Sequence, residues 1–100
     1  MFEIERDEQG RVLLSGRLDA SQVDKARSVM STIEETCTVD FSGLEYISSA
    51  GLGILLETQK RLMDLGHGLT LTGLSRHISD LFHIAGFDSL FDVQQAPDVQ

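Results

Sequence analysis

The chain has 100 residues, 41% of them hydrophobic, which suffices for one compact domain that buries a core without disulfides or metals. The formal net charge of −8, with only 8 Lys and Arg, argues against binding to nucleic acid or an anionic membrane and favours a partner with a basic patch. No apolar stretch approaches the ~18 residues of a membrane span and the N-terminus is charged, so we expect a soluble, cytoplasmic protein that is not exported; the net charge favours a monomer.

The first predicted elements are a hairpin and a helix. Residues 2–4 and 12–14 flank the turn sequence DEQG, which predicts two antiparallel strands with Gly10 in the connecting loop. Over residues 20–35 the apolar positions recur at spacings of three and four, which predicts an amphipathic helix.

A strand and a second helix follow. Residues 37–41 form a short β-prone run, and Ser-Gly-Leu at 42–44 resembles a turn before a crossover. Residues 50–65 predict the best-defined helix, with Gly66 as its left-handed C-terminal residue. Its apolar face is predicted to contain Leu52, Leu55, Leu56, Leu62 and Met63.

The C-terminal third predicts two more strands around a helix. Residues 69–72 alternate as a strand, Ser75 can cap a helix that Gly86 ends, and residues 89–93 resemble a last strand. Residues 96–100 are expected to form a polar tail.

This order, β-β-α-β-α-β-α with a final strand as an option, predicts a single α/β domain over residues 1–95. We expect a mixed sheet of four to five strands with three to four helices. The loops at residues 16–19 and 46–51 should then meet at one edge of the sheet, where ligand contacts concentrate.

The single cysteine and the three histidines are interpreted as structural or surface residues. Cys37 has no partner for a disulfide or a zinc site, so it predicts a reducing compartment and a small apolar filler at a strand start. His67, His77 and His83 lack metal-type spacing, and we expect neither a metal nor a cofactor.

The segment Ser48-Ser49-Ala50-Gly51-Leu52-Gly53 lies where a strand passes into a helix. Either serine can cap the helix, and the glycines can let it approach the sheet closely. The same geometry can hold a phosphate on a serine, because a helix N-terminus offers unpaired N–H groups and the positive end of the dipole.

The other loop has two capping interpretations. Asp19 with Gln22, or Ser21 with Asp24, fits a variant of the capping box, so the acidic residue can simply satisfy free backbone amides.

Enzyme motifs are absent from the junction, so we expect no catalytic residues. With Ser49 as the nucleophile, the G-x-S-x-G elbow of serine hydrolases requires glycine where this chain has Ile47. An S-x-x-K motif requires lysine where it has Leu52. Nothing matches a phosphate-binding G-x-x-x-x-G-K-[ST] loop.

Taken together, the motifs resemble the STAS domain of bacterial anti-sigma factor antagonists over nearly the whole chain. The resemblance is carried by Gly16-x-Leu18-Asp19, by the run from Val39 to Gly53, by the strand ending at Gly73, and by Ile-Ser-Asp-Leu-Phe followed by Ala-Gly-Phe. The most specific part is the serine pair followed by Ala-Gly-Leu-Gly.

The resemblance implies a partner-switching regulator without catalysis of its own. Family members bind an anti-sigma factor that is also a serine kinase; the kinase phosphorylates and ejects them, and a PP2C-type phosphatase restores them. The family's phosphoacceptor falls on Ser49 and its conserved loop aspartate on Asp19, while Ser48 replaces an aspartate common in the family. Asp19 and Ser48 would flank the phosphoacceptor, with Ala50, Gly51, Leu52 and Gly53 on the docking face.

The same resemblance leaves an alternative function, because some STAS proteins are not phosphorylated. Such a protein would be an interaction subunit of a signalling scaffold or of a lipid-transport complex.

Overall fold

The computed structural model describes residues 1–94, so the predicted domain boundary at residue 95 and the predicted tail at 96–100 lie outside the described residues. Five strands alternate with three α-helices, in the predicted order and with the final strand present. Two short 3₁₀ turns precede α1 and β5. The elements are β1 (Phe2–Arg6), β2 (Val12–Leu18), a 3₁₀ turn (Ala20–Gln22), α1 (Val23–Met30), β3 (Cys37–Ile47), α2 (Ser49–Asp64), β4 (Leu69–Thr72), α3 (Arg76–Ile84), a 3₁₀ turn (Phe87–Ser89) and β5 (Asp92–Gln94).

The strands form one mixed sheet in the order β1-β2-β3-β4-β5. β1 and β2 pair antiparallel as the predicted hairpin, with Gly10 at a φ of 83°, and the remaining neighbours pair parallel. Right-handed crossovers between strands in sequential order place the three helices on the same face of the sheet. The predicted α/β class and the mixed sheet are confirmed.

The core lies between the sheet and the helices. Alternate strand residues such as Val39 and Phe41 are fully buried beneath the helices, whereas Thr38 and Asp40 between them are partly exposed. The ring of Phe82 on α3 packs edge-on against Phe41, with the ring centroids 5.9 Å apart. One face of the sheet is therefore covered and the other faces solvent.

One buried polar side chain connects the helix layer to the sheet. The Gln59 amide oxygen accepts a hydrogen bond from the Leu69 backbone N–H at 2.7 Å, and its nitrogen donates to the Leu90 carbonyl at 2.7 Å. Gln59 is only 6% exposed, and because both the oxygen and the nitrogen of its amide are hydrogen-bonded, this burial does not destabilise the fold.

The first helix is shorter than predicted. α1 ends at Met30 rather than near residue 35, because the chain turns so that Ile33 enters the core. The Arg61 guanidinium donates to the carbonyls of Met30 and Ile33 at 3.0 and 2.8 Å. In a longer helix, these carbonyls would accept hydrogen bonds from backbone N–H groups of the helix itself.

The predicted turn at residues 42–44 is wrong, because β3 continues through it to Ile47. The register between β2 and β3 shifts here, and the Asp40 carboxylate accepts the Ser42 backbone N–H at 2.8 Å. Gly43 lets β2 approach, since a Cβ at this position would lie 3.0 Å from the Ser15 Cβ. Turn-forming residues therefore make an irregularity within a long strand.

The ends of α2 and α3 agree closely with prediction. α2 spans Ser49–Asp64, and Gly66 adopts a φ of 83° while the His67 N–H donates to the Leu62 carbonyl at 2.8 Å, as in a Schellman motif. The Ser75 hydroxyl caps α3 by accepting the Ile78 N–H at 3.2 Å, and Gly86 follows the helix at a φ of 76°.

Two smaller predictions need correction. Met63, predicted on the apolar face of α2, is 59% exposed. The last strand is Asp92–Gln94 rather than 89–93, because residues 87–89 form a 3₁₀ turn in which the Ser89 hydroxyl donates to the Gly86 carbonyl at 3.0 Å.

Cys37 lies at the start of β3 and is 6% exposed, as predicted for an apolar filler. Its burial raises the pKa of the thiol, which disfavours the reactive thiolate. None of the helices within residues 1–94 is long and apolar enough to cross a membrane.

Candidate functional site

The two predicted loops lie side by side at the carboxyl ends of β2 and β3. Leu18 pairs with Ile47 at the last position of the two strands, and the Ser48 backbone N–H donates to the Leu18 carbonyl at 2.9 Å. Asp19 and Ser48 are the residues that follow this last pair. The predicted meeting of the loops at one sheet edge is confirmed, although each loop is shorter than expected because residues 16–18 and 46–47 belong to strands.

Ser48 is the N-cap of α2. Its backbone is extended (φ −86°, ψ 170°), and its hydroxyl accepts the Gly51 N–H at 3.2 Å. The carbonyl of Ser48 then accepts the first helical hydrogen bond, from the Leu52 N–H at 2.9 Å. This geometry decides between the two serines that the sequence left open as caps.

Ser49 is the first residue of α2 and is exposed. Within residues 1–94 its hydroxyl makes no hydrogen bond, so it is free to interact with solvent. The free amides and the positive dipole end of a 16-residue helix lie beside it.

The two glycines of the junction have different roles. Gly51 is buried, and a Cβ there would lie 2.8 Å from the Leu18 Cγ and 2.9 Å from the Ile47 Cγ1. Among residues 1–94, no atom beyond the adjacent residues and backbone of α2 would lie within 4 Å of a Cβ on Gly53. The predicted close approach of the helix to the sheet therefore depends on Gly51, and that interpretation is wrong for Gly53.

The other junction residues form the surface around Ser49. Ala50 is exposed, whereas Leu52 is half-buried and packs against the core. The outward surface at the start of α2 is thus made of small side chains beside one apolar residue.

Asp19 caps the short 3₁₀ turn before α1. Its carboxylate accepts the Ser21 backbone N–H at 3.0 Å and the Ser21 hydroxyl at 2.6 Å. The hydrogen bond from the Ser21 hydroxyl lowers the pKa of Asp19, and the nearby charge of Arg17 lowers it further. Neither capping-box pairing considered for this loop forms among residues 1–94: the partner of Asp19 is Ser21.

Arg17 is a residue of this region that sequence reasoning missed. It pairs with Tyr46 across β2 and β3, and its guanidinium carbon lies 4.4 Å from the centroid of the Tyr46 ring. Both residues lie within the loops that the sequence predicts at 16–19 and 46–51, whereas the structure places them next to last in β2 and β3. Recognising this pair required the strand register, which the misassigned turn at 42–44 had hidden.

The site has the components of a modifiable binding surface. It combines an exposed hydroxyl on a helix N-terminus, an ionised Asp19 and a cation on Arg17. Within the described part of the chain, no cluster of three or more His, Cys, Asp or Glu side chains could hold a metal ion.

Comparisons with known proteins agree with this architecture. The family model described as "Mlab, STAS domain" matches residues 2–93. The anti-sigma factor antagonist BtrV of Bordetella bronchiseptica is 39% identical over 74 residues. The match covers 74% of this chain but 58% of BtrV. An anti-sigma-B factor antagonist of Staphylococcus epidermidis is 29% identical over 101 residues, covering 97% of this chain and 94% of its own length.

A solved structure shares the fold. The Bacillus cell fate determinant SpoIIAA in its phosphorylated form superimposes with a TM-score of 0.71 and 22% identity, covering 98% of this chain and 93% of SpoIIAA. The family match spans nearly every described residue, including both strand ends and the start of α2. The chain therefore belongs to the STAS domain family.

Proposed function

We propose that this protein is an anti-sigma factor antagonist of a partner-switching pathway, and that Ser49 is its phosphoacceptor. The observation that carries the proposal is the division of roles between the two serines. The Ser48 hydroxyl accepts the Gly51 N–H, whereas the Ser49 hydroxyl is exposed and has no hydrogen-bond partner in the described part of the chain. The names of the curated relatives support antagonist function, and SpoIIAA is described in a phosphorylated form.

In the proposed cycle, the unphosphorylated protein binds an anti-sigma factor that is also a serine kinase. The contact surface is the start of α2, with Ser49, Ala50 and Leu52, bordered by Asp19. A surface of small side chains lets a partner approach the Ser49 hydroxyl closely, and Leu52 adds apolar area beside it.

Phosphorylation acts on this surface through charge. A phosphate brings about −1.5 to −2 charges, which the helix N-terminus tolerates because its amides and dipole favour an anion. Asp19 is already ionised beside the site, so the added charge makes the docking face strongly negative. A kinase surface that fits the uncharged serine then loses affinity, and a PP2C-type phosphatase restores it by removing the phosphate.

One observation favours a second candidate. Ser48 occupies a position where the family resemblance implies an aspartate, so a kinase would meet a less acidic acceptor site. A STAS subunit of a signalling scaffold or a lipid-transport complex, working without phosphorylation, is the alternative.

The deciding experiment incubates the protein with ATP and an anti-sigma factor serine kinase from the same organism, followed by phosphosite mapping by mass spectrometry. We expect phosphate on Ser49 in the wild type and in Ser48→Ala, and none in Ser49→Ala. Treatment with a PP2C-type phosphatase should remove it. Phosphate on Ser48, or none on either serine, would contradict the proposal; the latter result would favour the second candidate.

A further inference from the structure

A cavity of about 300 Å³ lies at the end of the sheet opposite the Ser49 junction. It is enclosed by the β1–β2 turn and by the segment that enters β3. Its lining includes Arg6, Gly10, Arg11, Cys37 and Thr38. Because β3 runs eleven residues from Cys37 to Ile47, the cavity and the junction are roughly 30 Å apart.

The Arg6 side chain is held in place by neutral acceptors. Its Nε donates to the Gly10 carbonyl at 3.2 Å and one terminal nitrogen donates to the Thr32 hydroxyl at 3.1 Å. Within residues 1–94 no carboxylate forms an ion pair with Arg6. The guanidinium is therefore oriented without being neutralised, and it keeps N–H groups for a further acceptor.

The second arginine is also oriented, but by an acid. The Arg11 Nε lies 2.8 Å from the Asp7 carboxylate, which leaves the two terminal nitrogens of the guanidinium free of that contact. Glu35 lines the cavity and Asp7 is paired with Arg11, so two carboxylates lie near the two guanidinium groups, and Arg6 is the guanidinium of the two that has no ion-pair partner within residues 1–94.

We propose that this cavity is a binding site for a small tetrahedral oxyanion, either free phosphate or the phosphate group of a small metabolite, with Arg6 as its main charged contact. Guanidinium groups present paired N–H donors that match phosphate oxygens, and an arginine already fixed by neighbours loses little entropy on binding. Thr38 and Gln9 also line the cavity, and both residue types carry side-chain donors that can hydrogen-bond to phosphate oxygens.

Binding at this cavity would connect two parts of the fold. Arg6 lies on β1, Gly10 in the hairpin turn and Thr32 in the segment after α1. An anion on Arg6 would draw these segments together at the end of the molecule remote from Ser49. The inference goes beyond the proposed function and does not depend on phosphorylation at Ser49.

The test is an NMR titration of backbone amides with inorganic phosphate at constant ionic strength, repeated with glycerol 3-phosphate. We expect saturable shifts at Gly10, Cys37 and Thr38, with Ser49 and Gly51 unchanged. Saturation by inorganic phosphate shows that the free ion is sufficient for binding at the cavity. Saturation by glycerol 3-phosphate alone shows that the site requires a phosphate ester.

Matched variants show whether Arg6 is the contact. Arg6→Gln should weaken binding about tenfold or more, equivalent to about 1.4 kcal/mol. Arg76→Gln makes the same charge change at an exposed position on α3 and should leave binding unchanged. If Arg6→Gln disturbs folding by circular dichroism, Arg6→Lys keeps the charge without the planar fork and should still weaken binding. Linear shifts without saturation, shifts centred on Ser49, or equal affinity in the wild type and the Arg6 variants would overturn the proposal.

Discussion

The hydroxyl of Ser48 accepts the backbone N–H of Gly51 at 3.2 Å, so the residue that follows β3 also caps α2. The Ser48 side chain therefore has a structural role, as the cap of α2. The adjacent Ser49 is left exposed at the first helical position. The two hydroxyls therefore have separate physical roles although they are neighbours in the chain.

Ser48→Ala should lower the free energy of unfolding by about 1 kcal/mol, because the N-cap acceptor of α2 is lost. Ser48→Asp is the matched control, since aspartate caps helices about as well as serine and should preserve stability. Ser49→Ala should be nearly neutral, because the Ser49 hydroxyl makes no hydrogen bond to any residue that the structure describes. Urea unfolding of the three variants measures the differences, and equal losses for Ser48→Ala and Ser49→Ala would refute the division of roles.

Gly51→Ala should destabilise the protein by about 1–3 kcal/mol, because its Cβ would press against the buried side chains of Leu18 and Ile47. Gly53→Ala adds the same methyl group two residues later, where it meets no other part of the described structure within 4 Å. It should stabilise the helix by up to about 1 kcal/mol through helix propensity. Opposite signs in thermal unfolding are expected; a stable Gly51→Ala variant would show that α2 does not depend on this close approach.

Ser49→Asp should weaken binding to the proposed kinase about tenfold or more while preserving the fold, because a carboxylate at the start of α2 suits the helix dipole but adds charge to the docking face. Ser49→Asn is similar in shape and uncharged, so it separates charge from steric effects and should bind more tightly than Ser49→Asp. Isothermal titration calorimetry measures both affinities. Equal affinity for the two variants would count against the electrostatic mechanism.

His83 and Asp88 form an exposed pair, with the His83 Nδ1 2.8 Å from an Asp88 carboxylate oxygen. The hydrogen bond and charge of Asp88 raise the pKa of His83 above its ordinary value of 6.5. Because the folded-state pKa is the higher one, the stabilising contribution is complete below pH 6.5 and is lost as the pH rises through the raised value.

NMR titration of the His83 ring should therefore show a lower pKa in Asp88→Asn than in the wild type. Asp80 contributes a weaker charge effect, so Asp80→Asn should lower the pKa less. An identical His83 titration in the wild type and in Asp88→Asn would mean that the pair does not form in solution.

Local patterns predicted the elements whose ends are set by nearby residues. The hairpin around Gly10, the cap at Ser75 and the stop at Gly66 all depend on contacts within a few residues, so the chain order reveals them. The predictions for the end of α1 and for the turn at residues 42–44 were wrong, because residues distant in the chain contact both places. The Arg61 guanidinium donates to the Met30 carbonyl at the end of α1. Ser15 on β2 lies close to Gly43, which is inside a strand rather than in a turn.

The sequence by itself determined the α/β order, the strand-to-helix junction and the resemblance to STAS domains, because hydrophobic periodicity, glycine positions and serine pairs are local properties. Only the tertiary structure decided that Ser48 is the cap, that Gly51 rather than Gly53 must lack a side chain, and that Arg17 stacks on Tyr46 beside Asp19. The Ser48 cap is a contact over three residues, selected by the extended backbone of Ser48 before α2. The contacts of Gly51 and of Arg17 depend on the register of β2 against β3, which brings together residues about thirty positions apart and which no local pattern encodes.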